Sequence, residues 1–529
     1  MRTALISVYN KTGITEFAQE LISLDFKILA SGGTAKHLQD AKIPVEDIAN
    51  LVGGGAILGH RVVTLSRQVH AGLLAKDNEE DRKELQTLKI PFINLVCCDL
   101  YPLEDEIKNP NATRESVIEK TDIGGPTMLR SAAKGRRIVI CDLSDREKVI
   151  EWLQNGEPDR EEFLNKLAAK AEITIAKYTL TSSSYISHGV YGGLLGEKVL
   201  ECAYGENAYQ KPAIFYKNLN VEEEPLALHN WLLIAGNPMS YNNLCDVDRM
   251  MQTITHIGAG FEKNLSKVPH IAIGAKHGNA CGASVSDSQI ESIGKMLEGD
   301  LRAIFGGSVM LNFPVDEKIA EELINKYSSE TKRLLDIVAA PSFTPEAVEI
   351  LARKKGKCRI LTNPAILKAG LHSLDKTERF RYVRGGFLTQ PNYTFVPEVK
   401  DKDVILAWAI GCTSNSNTIT IVKEGRLVGN GVGQQDRVGA AKLAIFRADE
   451  AANFADPQIK EANLENAVAY SDSFFPFPDA PEVLIARGIK TIFSTSGSIN
   501  DEKIIELCKA EGVNLIMLPD KEARGFYQH

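Results

Sequence analysis

The run TALISVY at 3–9 stops at NKTG, and ITEFAQELISL follows with its apolar residues at helical spacing. The alternation returns at once. KILAS reads as a second strand, and SGGTAKHLQDA as a glycine turn entering a helix that Thr34 caps. FINLVCCDLY and RRIVICDL are two further strands. The second leads through Ser144 and Glu147, spaced as a capping box, into a helix that stops at Asn155-Gly156. Strands that alternate with helices build a parallel, doubly wound sheet, so the chain opens as an α/β domain.

Such sheets bind ligands in the crevice at the carboxyl ends of their strands. Ser7, Tyr9 and Lys11 follow the first strand, Ser31, Gly33 and Thr34 the second, and Tyr101 another, all on that edge. SGGT also presents backbone N–H groups at a helix start, a cradle for phosphate. A plain turn that needs glycine accounts for SGGT equally well. The coincidence of several polar strand ends on one edge is what points to a small phosphorylated ligand.

At 529 residues the chain exceeds one hydrophobic core, and about 150 residues per domain suggests roughly three units. A long helical stretch, PDREEFLNKLAAKAEITIAKYTLTSSSYIS, leads out of the first domain, read as 1–195. The remainder, 196–529, carries the strand-like runs HIAIGAKH, AIFGGSVMLN, LDIVAAPSF, CRILTN, ILAWAIGC, TITIVKEGRLVGNG and TIFSTSGS. KEGR is a tight hairpin turn, so this second sheet is mixed. A similar order of elements in 270–375 and 405–529 suggests two related subdomains, about 196–375 and 376–529.

Several function classes are excluded. The net charge is −8 and no cluster of five or more basic residues occurs, so no nucleic-acid partner is expected. The densest charge run, KDNEEDRKELQTLK at 76–89, mixes both signs, as a solvated loop and helix do. No window reaches the ~18 apolar residues of a membrane span, and MRTALISVYNKTG has no secretory cleavage site. The nine cysteines, scattered from Cys97 to Cys508, form neither CxxC pairs nor the HxE…PCxxC signature of a zinc deaminase. A cytoplasmic protein with reduced thiols and no metal is expected.

AIGAKHGNACGAS at 272–284 places Lys276 and His277 at the end of an apolar strand. Strand alternation would split them, but at a carboxyl end both can project into the crevice above the sheet. Taken alone, a snorkelling lysine beside a hydrogen-bonded histidine accounts for them too.

SVYNKTG, ASGGTAKHL, TDIGGPTMLRSAAK, MSYNNLCDVD, AKHGNACG, FGGSVMLNFPVD, APSFTPEAVEIL, VRGGFLTQ, GNGVGQQDRVGAAKLA and SDSFFPFPD follow one another across nearly the whole chain. In that order and spacing the chain resembles the bifunctional purine biosynthesis enzymes, AICAR transformylase joined to IMP cyclohydrolase. The resemblance implies a methylglyoxal-synthase-like doubly wound domain, then a transformylase of two cytidine-deaminase-like α/β subdomains. It implies formyl transfer from 10-formyltetrahydrofolate to the 5-amino group of AICAR, then dehydrative closure of formyl-AICAR to IMP. It further implies no catalytic metal, and a homodimer whose transformylase sites are shared between subunits.

The same resemblance assigns roles. The amine of AICAR is a poor nucleophile because its lone pair is delocalised, so transfer needs a base and an oxyanion stabiliser. His277 would take the proton and Lys276 would stabilise the formyl oxygen, each contributing about 100-fold or more. Asn417 would orient the reacting groups, and Tyr204, Asn242, Gly306, Arg437, Phe474, Asp479 and Arg524 would bind ligand. In the cyclohydrolase, Tyr101, Asp122 and Lys134 would move protons and support the oxyanion. Ser7, Lys11, Ser31, Gly33, Thr34, Arg61 and Thr64 would hold the nucleotide. On residue type alone, Phe474 is equally a core side chain, whereas an exposed ion pair suits Arg437 less well behind a glycine-rich turn.

The chain departs from the family at three places. Where the family runs RVKTLHP this chain has RVVTLSR at 61–67, with Val63 for a lysine and Ser66 for a histidine. Where it runs RYGENPHQ this chain has AYGENAYQ at 203–210, with Ala203 for an arginine expected at the substrate phosphate. A transformylase with an impaired cyclohydrolase and a non-catalytic nucleotide or folate binder are therefore alternatives. Retention of Lys276, His277, Asn417 and Asp479 argues against the second.

Overall fold

In the computed structural model, β1 (Arg2–Ser7), β2 (Phe26–Ala30), β3 (Glu46–Asp47), β4 (Ile93–Cys98) and β5 (Ile138–Ile140) form an all-parallel sheet ordered β3-β2-β1-β4-β5. Residues 1–59, 61–221, 223–328 and 332–529 are described. Leu5, Ile6, Leu95, Val96 and Val139 are buried, as strands covered by helices on both faces require. The chain winds outward from β1 to β3, then returns to build β4 and β5 on the other side. The direction therefore switches between β1 and β4, and the crevice of such a sheet opens there.

Two local expectations are corrected. Ser31, not Thr34, is the N-cap of the Gly32–Asp40 helix, and it makes no side-chain capping bond. Thr34 lies inside the helix, where its Oγ1 accepts the Val8 N–H at 3.2 Å and donates to the Val8 carbonyl at 3.1 Å. Ser144 and Glu147 form no capping box. Asp142 accepts both the N–H and the hydroxyl of Ser144 at 2.9 Å, a local turn that competes with the cap.

The chain divides into two compact units, Met1–Gly196 with Asn218–Asn220, and Glu197–Lys217 with Val221–His529. Two hairpin strands, β6 (Gly196–Cys202) and β7 (Ala213–Asn218), precede β8 (Leu232–Ala235). Then come β9 (His270–Lys276), β10 (Asn279–Ser286), β11 (Gly307–Leu311), β12 (Leu335–Ala340) and β13 (Arg359–Thr362). A second hairpin, β14 (Arg379–Val383) and β15 (Gly386–Gln390), leads to β16 (Ile419–Lys423), β17 (Arg426–Gly431), β18 (Val468–Ser471), β19 (Thr491–Ser496) and β20 (Asn514–Pro519).

Eleven of these strands make one mixed sheet, β20-β19-β18-β16-β17-β10-β9-β11-β12-β13-β8. It contains one motif twice. β10-β9-β11-β12-β13 and β17-β16-β18-β19-β20 share their order, with two antiparallel pairings followed by two parallel ones. The copies join where β10 pairs antiparallel with β17 at Ser284 and Arg426. The second domain is thus two related α/β subdomains sharing a sheet.

ILAWAIGC is not a strand. It is the buried end of the Lys402–Gly411 helix, N-capped by Asp401. Every residue from Val404 to Gly411 is buried, so no polar face betrays the helical period. Conversely, NACGASVS, which reads as a small-residue run, is β10. A Cβ on Gly282 would stand 2.1 Å from the Met296 carbonyl, so small residues let the Gln289–Leu297 helix lie on this strand. Among the described residues no helix is long and apolar enough to cross a membrane.

Candidate active sites

In the first unit, the ends of β1, β2 and β4 converge. Ser7 Oγ and Ser31 Oγ are 2.6 Å apart. Lys11 Nζ folds back onto the Val8 carbonyl and the Tyr9 carbonyl, the latter at 3.3 Å, and burial lowers its pKa. A Cβ on Gly33 would meet nothing within 4 Å, so the first turn of that helix faces open space. Ser7, Lys11, Ser31, Gly33 and Thr34 therefore sit together. Asp99, which the motif reading passed over, closes this loop by accepting the Tyr9 and Asn10 amides, the second at 3.0 Å.

Across the switch point, Asp122 stands at the start of the Gly124–Lys134 helix. Its carboxylate accepts the Gly125 N–H at 2.9 Å, and the neighbouring Tyr101 and Gly124 amides favour its charged form. Burial nevertheless raises its pKa. The glycine pair is explained by close packing. A Cβ on Gly124 would lie 2.7 Å from Thr64 Oγ1, and one on Gly125 2.5 Å from Asp122 Oδ2. Tyr101 is half-exposed and meets Tyr9 edge-on, ring centroids 5.8 Å apart. Burial, then Asp122, raises the pKa of its phenol. Tyr178, also missed in the sequence, accepts the Asp122 N–H at 2.7 Å.

The same elements place Lys134, Arg61, Val63 and Ser66. Lys134 ends the helix that Gly124 begins, about 15 Å further along its axis at 1.5 Å per residue. Arg61 is exposed and forked onto Glu119, Nε at 3.0 Å and Nη2 at 2.9 Å. Val63 packs half-buried against the core, while Ser66 caps the Arg67–Leu74 helix by accepting the Val69 N–H at 3.2 Å. Each departure from the family has a structural use of its own.

In the second unit, Lys276 and His277 are not at an open strand end. Lys276 pairs with Asn279 across β9 and β10, and His277-Gly278 is the two-residue turn between them, with φ of +52° and +72°. Both positive angles are those of a type I′ turn, which glycine favours at its second place. The turn is what lets a lysine and a histidine share one end of the sheet. Lys276 Nζ donates to the Phe305 carbonyl at 3.1 Å, beside Gly306, whose φ is +71°. The His277 residue is exposed.

A hydrogen-bonded chain carries this turn to Asn417. Asn279 Oδ1 accepts the Asn415 N–H at 3.4 Å, and Arg249 Nη1 donates to Asn415 Oδ1 at 2.9 Å and to the Thr413 carbonyl at 3.0 Å. The Arg249 guanidinium lies 3.6 Å over the Tyr527 ring, and burial lowers its pKa. Asn417 Nδ2 donates to the Gln434 carbonyl at 2.9 Å. Arg249, Asn279, Asn415 and Gln434 escaped the sequence reading although all lie inside or beside quoted motifs, because pairing between distant motifs leaves no local signal.

The remaining positions fall in two groups. The Tyr204 carbonyl accepts the Tyr241 N–H at 3.0 Å and Asn242 Nδ2 donates to the Glu206 carbonyl at 3.1 Å, so AYGEN folds onto the start of the Tyr241–Leu265 helix. Ala203 belongs to the same contact, its N–H on the Met239 carbonyl at 2.9 Å. On the other copy, the Asp472 N–H meets the Thr418 carbonyl at 3.3 Å, which brings SDSFFPFPD beside the Asn417 segment. The Arg524 guanidinium stands 5.6 Å from the half-buried Phe474 ring and pairs with Asp520 at 2.6 Å. Asp479 is exposed at the first position of the Asp479–Ile485 helix.

Arg437 is a buried ion-pair partner of Asp472, and burial lowers its pKa to about 10. The ion pair is a buried one, unlike the exposed pair that residue type alone allows. Removing one member of such a pair leaves the other charge buried alone. Arg437→Ala is therefore expected to lose ~3–5 kcal/mol of stability in urea unfolding, and a loss under about 1 kcal/mol would refute the structural role. Among the described residues no group of three or more His, Cys, Asp or Glu is placed to hold a metal ion.

Comparison with known proteins finds matches over nearly the whole chain. Residues 132–447 match the family described as AICARFT/IMPCHase bienzyme, and residues 13–127 match the MGS-like domain. Curated relatives named bifunctional purine biosynthesis protein PurH include those of Prochlorococcus marinus strain MED4 and Anoxybacillus flavithermus, each 34% identical over 540 residues. The one from Lysinibacillus sphaericus is 35% identical over 537 residues. All three alignments cover 97% of this chain and 98% of the relative. With two sheets of the expected kinds and a match across both, this chain belongs to the AICARFT/IMPCHase bienzyme family.

Proposed function

We propose that the enzyme formylates AICAR at the His277 turn of the second unit and closes formyl-AICAR to IMP beside Asp122 of the first. The observation that supports the first step is that Lys276 and His277 share one hairpin, whose Asn279 accepts the amide of Asn415, two residues from Asn417. 10-Formyltetrahydrofolate supplies the formyl group. As the amine nitrogen bonds to the formyl carbon, His277 takes the amine proton and the Lys276 ammonium faces the charge on the formyl oxygen; the bond from the formyl carbon to the folate nitrogen then breaks, and that nitrogen leaves with a proton as tetrahydrofolate. Asn417, fixed by Gln434, orients the reactants. Phe474, Asp479, Arg524, Tyr204 and Gly306 contact the bound ligands, and Asn242 holds the carboxamide of AICAR.

For closure, Ser7, Lys11, Ser31 and Thr34 hold the phosphate, with Gly33 leaving it room. Intramolecular attack in the right geometry removes an entropic barrier of ~7 kcal/mol or more, so positioning does much of the work. The carboxamide nitrogen bonds to the formyl carbon, and the formyl oxygen leaves as water with the two protons that Asp122 and Tyr101 move. A carboxyl whose pKa burial has raised suits that exchange.

A second reading is favoured by Val63 and Arg61. With Val63 packed on the core and Arg61 paired to Glu119, closure lacks two cations and runs more slowly than formyl transfer. An assay supplied with AICAR and 10-formyltetrahydrofolate, with formyl-AICAR and IMP measured separately, tests both. We expect formyl-AICAR to build up before IMP. IMP appearing without it would refute slow closure, and absence of both would refute the enzyme. We further propose a cytoplasmic homodimer with shared transformylase sites. Sedimentation as a monomer with full turnover would disprove the sharing.

A further inference from the structure

Arg146, in the first turn of the Asp145–Gln154 helix, is a cation that neither reaction described above uses. Only 6% of it is exposed, and its Nε is buried with no hydrogen-bond partner. A buried guanidinium is ordinarily matched by a carboxylate, because an unpaired charge away from water is strongly unfavourable. Among the described residues no carboxylate pairs with it. The acidic side chains of its own stretch are taken by lysines: Lys170 pairs with Asp145 at 2.6 Å and with Asp142 at 2.9 Å, and Lys148 with Asp145 at 3.3 Å. Asp99 is engaged by the Tyr9 and Asn10 amides. Arg146 therefore leaves a net positive charge inside the first unit.

That charge bears on one loop. Arg146 Nη1 donates to the Thr12 carbonyl at 2.7 Å, while Lys11 Nζ donates to the Tyr9 carbonyl at 3.3 Å and to the Val8 carbonyl. Two cations thus draw carbonyls of residues 8–12 toward themselves, as Asp99 draws the amides. The loop so held follows β1, whose Ser7 Oγ is 2.6 Å from Ser31 Oγ. We infer that Arg146 is a positioning residue for the phosphate of the first unit's ligand: it fixes the loop that contains Lys11 and supplies positive charge that a phosphate monoester balances. This rests on the reading that Ser7, Lys11, Ser31 and Thr34 hold that phosphate. Arg146 then sets which ligands the unit retains without touching the atoms that react.

The test uses the full-length enzyme supplied with formyl-AICAR, with inorganic phosphate as a competing probe. Arg146→Gln keeps a donor for the Thr12 carbonyl and removes the charge. We expect KM for closure and the inhibition constant of inorganic phosphate each to rise about tenfold, with kcat within about twofold, since phosphate binding is common to the ground and transition states. Arg146→Lys keeps both charge and donor and should stay within about threefold of wild type. The nucleoside of formyl-AICAR, which has no phosphate, should close with the same kcat/KM in wild type and Arg146→Gln. Should Arg146→Gln fail to fold, Arg146→Met, whose unbranched chain fills similar space, makes the same comparison. An unchanged KM and inhibition constant, or an equal loss for nucleotide and nucleoside, would overturn the inference and leave the phosphate site standing. Wild-type closure that treats nucleotide and nucleoside alike and ignores inorganic phosphate would overturn the phosphate site, and the inference with it.

Discussion

His277→Ala will lose formyl transfer by about 100-fold or more and still close supplied formyl-AICAR at the wild-type rate. The first half follows from the chemistry: a delocalised amine that cannot shed its proton in step with attack forfeits a general-base contribution of about that size. The second half follows from placement. His277 lies in the mixed sheet of the second unit, whereas Ser7, Tyr101 and Asp122 lie on the parallel sheet of the first. The substitution should also spare the fold, since the side chain is exposed and the Lys276–Asn279 pairing uses backbone alone. Separate assays of the two steps on one preparation settle it. Near-normal formyl transfer by a variant with an unchanged melting temperature would remove His277 from the reaction.

Asp122→Asn is expected to do the reverse, slowing closure by about 100-fold while formyl transfer is unaffected. It carries a second signature in stability. Because burial raises the Asp122 pKa, the native state holds that proton more tightly than the unfolded chain does. Protonation therefore stabilises the fold below the ordinary carboxylate range, and this contribution is lost as pH rises through the raised native value. Asparagine has no proton to lose there. The stability of Asp122→Asn relative to wild type should accordingly rise between about pH 3 and about pH 7 in urea unfolding. A relative stability that falls over that interval would mean that the amides of Gly124, Gly125 and Tyr101 outweigh burial. Unchanged closure would remove Asp122 from the chemistry.

Ser7, Ser31, Gly33 and Thr34 were legible as a site because parallel strands deliver their ends to one edge, and strand ends can be read from local pattern. The internal likeness of the second domain was legible as an order of elements. Its KEGR turn was legible too, since a tight turn needs few residues. Local pattern failed where an element was buried on all sides, as in the Lys402–Gly411 helix, or where close packing demanded small residues, as in β10. It failed likewise for Thr34, placed at a cap it does not make, and for Ser144, whose hydroxyl Asp142 takes.

What the sequence determined by itself was the two-sheet α/β architecture, the residues available for chemistry, and the family that their joint order implies. These are matters of local period and of residue type, which survive without coordinates. The tertiary structure alone decided which of those residues meet. It turned Lys276 and His277 into one hairpin, linked them through Asn279 and Asn415 to Asn417, and buried Arg437 against Asp472. It placed Lys134 at the far end of the helix that Gly124 begins, and packed Val63 against the core. The reason is that contacts between distant segments depend on strand register and helix length together, and no single stretch of the chain contains either.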